Sequence, residues 1–164
     1  MDIMKLFFIS LVFIFFGNSI HAEDIDISKV RKLYIEAAES EKACDEMLKL
    51  LSFADEKTPL LLAYKASATM MMANHVGNPF SKLSYFKKGR KMLDQAVAID
   101  KSNVELKVLR YVVQINAPSF LGYNGDIESD KTFILNNIPK MKNIESKDFV
   151  TKVLNESTQF KLKK

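Results

Sequence analysis

Apolar residues in this chain recur at spacings of three and four almost from end to end, and no stretch alternates apolar with polar as a half-buried strand does. Such spacing places one stripe of side chains on one side of a helix, so the chain must fold by packing helices on helices. In residues 26–56, Val30, Leu33, Tyr34, Ala37 and Ala38 make one stripe, with Ser28 as the expected N-cap. Ala43, Met47, Leu50 and Leu51 continue it, and Ser40-Glu41 leaves open whether one long helix or two short ones form.

Proline and glycine punctuate the rest. Thr58-Pro59 closes the first part and opens the next helix, since proline suits a first turn where the backbone N–H lacks a partner. Residues 59–75 are apolar nearly all round, which predicts a helix covered on most sides. Met70, Met71 and Met72 are adjacent and therefore diverge on a helix, so they read as core filling and not as a metal site. Gly77-Asn78-Pro79 stops that helix and restarts another, which is expected to turn Phe80, Leu83, Phe86, Leu93, Ala96 and Val97 inward. Lys87, Lys88, Arg90 and Lys91 lie mostly on the other side, a basic face open to an acidic partner, to anionic lipid head groups, or simply to water. Val104, Val108, Leu109, Val112 and Val113 mark the next helix, another restarts near Asp126 and stops near Pro139, and a last one follows Ser146 as its expected cap. The prediction is an all-α domain of six or seven antiparallel helices arranged as helical hairpins.

The connection at residues 114–131, QINAPSFLGYNGDIESDK, is the least regular part. Pro118 disfavours helical backbone at Ala117. Phe120, Leu121 and Tyr123 are expected to fold back as an apolar plug, with Gly122 and Gly125 supplying the turns and Asn124 or Asp126 the next cap. Glu128 and Asp130 suit a first helical turn through the helix dipole. The alternating acids Asp126, Glu128 and Asp130 resemble the start of a calcium loop, but the position that needs glycine holds Lys131 and the one that needs glutamate holds Asn137.

The N-terminus has the order of parts of a secretory signal peptide: Lys5, an apolar run from Leu6 to Phe16 broken only by Ser10, then Gly17-Asn18 and a small residue at Ala22. That run is about half of the roughly 20 residues a spanning helix needs. Cleavage after Ala22 is expected, which leaves residues 23–164 as a single helical domain, periplasmic or secreted, with no stable membrane span. Cys44 is the only cysteine, so no disulfide can form within the chain, and a buried apolar thiol is expected ahead of pairing between chains.

Few chemistries are supplied. His75 is the only histidine after residue 22, too few for a zinc site and the sole base available to a Ser-His-Asp or Cys-His arrangement. Its place at a helix end suits an interaction with the C-terminal dipole. Neither a Walker loop nor a dinucleotide glycine fingerprint is present, so no cofactor is expected. A net charge of +4 is too mild to point to nucleic acid.

The run LDQAVAIDKSNVELKVLRYVV, residues 93–113, resembles the junction between tetratricopeptide (TPR) repeats. Leu93 and Ala96 take the places of that repeat's large apolar and alanine, and Lys101 stands where it has proline. The loop at residues 77–79 shifts the preceding helix out of the 34-residue register, and the likeness covers about a third of the domain. More broadly, residues 63–131 are similar to small exported helical proteins of Bacteroidota-type bacteria, a group that implies compartment and fold but no activity. The expected function is a non-enzymatic, helical-repeat-like module that binds a protein or peptide in the cell envelope. Tyr85, Lys87, Lys88, Arg90, Tyr111 and Tyr123 are the candidate contacts, and a small hydrolase or ligand carrier with a pocket near residues 118–126 is the alternative.

Overall fold

Polar side chains open most of the helices. Asp26 Oδ1 accepts from the Ser28 amide (2.9 Å), Ser40 Oγ from Ala43 (3.2 Å), Asn78 Oδ1 from Phe80 (2.8 Å) and Asn143 Oδ1 from Ser146 (2.8 Å). Asn103 Oδ1 accepts from both Glu105 and Leu106, at 3.0 and 3.3 Å. Each such cap satisfies an amide that the helix itself leaves unpaired and contributes about 1 kcal/mol. These caps start α1 (Ile27–Ala37), α2 (Glu41–Leu50), α4 (Pro79–Ile99), α7 (Ile144–Leu162) and α5 (Val104–Asn116); α3 (Pro59–His75) and α6 (Ile127–Asn137) complete the set. Short 3-10 turns lie at Ser119–Leu121 and Ile138–Lys140. This computed structural model describes residues 25–55 and 57–162, with side chains described as far as Ser157. The segment 1–22 read as a signal peptide lies outside the described residues. Among the described residues the chain is all-helical, and Ser40 divides the first part into two helices.

Consecutive helices pack on one another from α1 through α6, as short connections require. The odd-numbered helices also touch in order, α1 on α3, α3 on α5 and α5 on α7. The described fold is therefore two-layered, with α1, α3, α5 and α7 side by side and α2, α4 and α6 laid against them. α3 is the centre, burying Leu62, Ala63, Tyr64, Ala66, Ala68, Met70 and Met72, while Met71 packs against the same core. α4 packs tightly on it at Gly89, where a Cβ would lie 2.6 Å from the Ala66 carbonyl oxygen and 2.4 Å from Met70 Cγ. None of the helices among the described residues is long and apolar enough to cross a membrane.

Several local expectations change. Asp26, not Ser28, caps α1, and Asn143, not Ser146, caps α7; both serine hydroxyls turn instead to distant carboxylates. Ala38 is exposed because α1 ends one residue earlier. Phe80 and Leu83 do not point inward: they are 84% and 38% exposed, since only α3 packs extensively on α4 and these two lie on the far side. Phe120 is 84% exposed, leaving Leu121 and Tyr123 to cover the hairpin end.

Candidate functional site

The layer of α1, α3, α5 and α7 meets at one carboxylate. Glu105, 2% exposed in the first turn of α5, accepts two bonds from Arg31 of α1, Nε at 2.9 Å and a terminal guanidinium nitrogen at 2.8 Å. The Tyr64 hydroxyl of α3 donates to its Oε1, and the Ser146 hydroxyl of α7 donates to its Oε2 at 2.5 Å. One residue from each of α1, α3 and α7 thus converges on Glu105 of α5. Arg31 also reaches Glu145 at 2.9 Å, and Ser28 donates to that carboxylate at 2.7 Å. The Ser28 and Arg31 bonds hold the Glu145 carboxyl below its ordinary range, and the bond to Glu105 keeps the Arg31 guanidinium charged. Tyr34 packs edge-on against Tyr64 and Phe149, which are tilted to each other, with ring centroids 5.6–6.0 Å apart around the cluster. With both oxygens occupied by its own fold, Glu105 is a structural node and not an available acid or base.

A second node joins α5 to α6. Asp130 is fully buried and accepts from Arg110 at 2.7 and 2.8 Å and from Lys107 at 2.9 Å. Arg110 also meets Asp126 at 3.2 Å, and Gln114 donates to the same carboxylate at 3.2 Å. The three acids of the calcium-like spacing therefore part company. Asp126 and Asp130, four residues apart, share one face toward Arg110, and Glu128 is exposed on another.

The connection between α5 and α6 is held by Tyr123. Its hydroxyl donates to Asp94 of α4 at 2.6 Å, its ring meets Phe86 edge-on at 5.9 Å, and Arg90 lies 4.6 Å above it. Gly122, at φ +58°, provides the left-handed turn that sends the chain back. The corner reading of this stretch is thereby given its contacts: an aromatic pinned to α4, followed by two acids pinned to Arg110.

The sequence-selected contact residues do not form one surface. Lys87 and Lys88 are exposed, Tyr85 and Arg90 are half-buried, and Tyr111 and Tyr123 are buried. Tyr123 and Arg90 are engaged with each other, so neither is offered to a partner as a free side chain. His75 ends α3 with Nε2 3.3 Å from the Ala37 carbonyl oxygen, which ties α3 to the end of α1. Cys44 is fully buried, and its Sγ donates to the Ala68 carbonyl at 3.2 Å. Spacing rules pass over Arg31 and Glu105 because they are charged. The signal lies in their place on the apolar stripes, Arg31 three residues before Tyr34 and Glu105 three and four before Val108 and Leu109.

The surface carries an open apolar groove of about 260 Å³ where α5, α6 and α7 come together. Tyr111 forms part of its lining with Ile134, Leu135, Ile138 and Leu154, and Lys131 and Asn155 add polar groups. Leu135 is 62% exposed there. A second recess, along Glu41–Lys49, is a charged surface of α2 alone, and residues 118–126 line neither of these two. No family model, curated protein or solved structure matches this chain.

Proposed function

We propose that this chain is an exported, non-enzymatic, helical-repeat-like module that binds a protein or peptide in the cell envelope. The observation that carries the reading is the apolar groove between α5, α6 and α7, with Leu135 exposed at it and Tyr111 in its lining. Exposed apolar side chains grouped at a groove are where amphipathic peptide segments dock. The side-by-side order of α1, α3, α5 and α7 supports the repeat-like part of the reading, and residues 1–22 are its only basis for export. The buried carboxylates Glu105 and Asp130 are each held by cations of the same fold, which supports a binding role over acid–base chemistry.

Selection of a random peptide library against the immobilised chain tests this, with Leu135→Glu as counter-screen. Enrichment of peptides with apolar residues three and four apart, bound by the wild type and not by the variant, is the expected result. An absence of enrichment, or equal capture by the variant, would sink the proposal.

A further inference from the structure

The hairpin of α3 and α4 has an unusual charge distribution. From Thr58 to Leu93 the chain contains six lysines and arginines and neither aspartate nor glutamate. These six exceed the +4 of the whole chain, so the remainder is net acidic. Among the described residues Lys82, Lys87, Lys88 and Lys91 are exposed and paired with no carboxylate; Arg90, by contrast, is taken up by Asp94 and Tyr123.

The exposed apolar residues of α4 join this charge on one line. Phe80, Leu83, Lys87 and Lys91 are offset by three, seven and eleven residues and so run along a single face, flanked by Ser84 and Lys88. Phe86, Gly89, Leu93, Ala96 and Val97 form the opposite, buried face. The line begins at the first turn with Phe80, 84% exposed, and ends in lysines.

We propose that this face of α4 docks on an anionic lipid surface, with Phe80 and Leu83 entering the interface and the lysines pairing with head-group phosphates. Apolar anchors beside a row of cations on one helix are what interfacial helices present. A peptide ligand needs walls to lie between, and this face is the convex outer side of one helix, away from both recesses described above. A flat head-group surface needs none.

Sedimentation of the chain from Glu23 onward, which contains every described element, with lipid vesicles provides the test. Vesicles of equal parts phosphatidylglycerol and phosphatidylcholine are compared with phosphatidylcholine alone. Binding to the anionic vesicles only, weakening as salt is raised, is expected. Lys87→Glu with Lys88→Glu should lower that binding by about tenfold or more. Phe80→Ser with Leu83→Ser should lower it too, and because all four side chains are exposed, both variants should keep the wild-type helical circular dichroism. Leu135→Glu should bind vesicles as the wild type does, which separates this surface from the groove. Equal binding to neutral vesicles, no binding to either, or binding unaffected by the lysine reversals would overturn the proposal. So would capture of poly-glutamate by the same lysines without capture of vesicles, which would assign the face to an acidic polypeptide.

Discussion

Arg31 and Glu105, 74 residues apart in sequence, are joined by two parallel hydrogen bonds inside the fold, and Glu105 takes further bonds from Tyr64 and Ser146. A buried pair of this kind gains little over a well-packed apolar pair, but breaking it leaves a charge without compensation. Arg31→Met is therefore expected to cost about 3–5 kcal/mol in urea unfolding. Arg31→Met combined with Glu105→Leu should recover much of that loss. Recovery stays partial because Tyr64 and Ser146 lose their acceptor. A single variant within about 1 kcal/mol of the wild type would show that the pair does not hold α1, α3, α5 and α7 together.

How far the sequence announces this arrangement depends on what kind of contact is asked for. The stripes of α1, α3 and α5 are legible because each buried residue reports its own spacing: Val30, Leu33, Tyr34 and Ala37 are all buried as expected. Phe80 and Leu83 have equally good spacing and are exposed, because spacing cannot say whether a neighbour exists to cover the face. Caps are ambiguous for a different reason. Asp26 and Ser28 are both competent acceptors, and the choice depends on which residue takes the first helical backbone angles. Long-range polar partners such as Arg31 with Glu105, or Tyr123 with Asp94, leave almost no local trace. Their selection depends on how separate helices stack, which a one-dimensional pattern does not encode.

Gly89 marks a tight approach between α3 and α4. A methyl group there would meet the Ala66 carbonyl oxygen at 2.6 Å, and a backbone atom cannot move aside as a side chain can. Gly89→Ala is thus expected to destabilise the fold by about 1–3 kcal/mol, despite the better helix propensity of alanine. Thermal unfolding checks this, and an unchanged or raised midpoint would mean that the helices separate at little cost. Gly77→Ala is the control, since nothing lies within 4 Å of the added carbon.

Cys44 should be inert in the native protein. Burial first, then the charges of Asp45 and Glu41, push its thiol up to about 11, and its Sγ is tied to the Ala68 carbonyl. The thiolate is the reactive form, so little of it is present at neutral pH and none of it is at the surface. Labelling by a thiol-specific reagent is expected to track unfolding in urea. Stoichiometric labelling in native buffer within the dead time of mixing would contradict the burial of this residue.

Alkaline pH should unfold the protein through its tyrosines. Burial raises the Tyr34, Tyr64 and Tyr123 hydroxyls above the ordinary value of 10, with the Glu105 charge adding at Tyr64 and the bond to Asp94 at Tyr123. In the unfolded chain these groups lose their protons near 10, whereas in the fold they retain them. Their contribution to stability is therefore complete below pH 10 and falls as the pH rises above it toward the folded values. Phenolate absorbance from Tyr34, Tyr64 and Tyr123 should accordingly lag behind free tyrosine and then appear in one step with loss of helical circular dichroism. Tyr123→Phe keeps the ring against Phe86 and Arg90 but removes the hydroxyl, so it should reduce that step by one group and leave the rest cooperative. Ionisation of Tyr34 and Tyr64 near pH 10 with the helices intact would mean that they are open to solvent, and that the aromatic wall around Glu105 does not close.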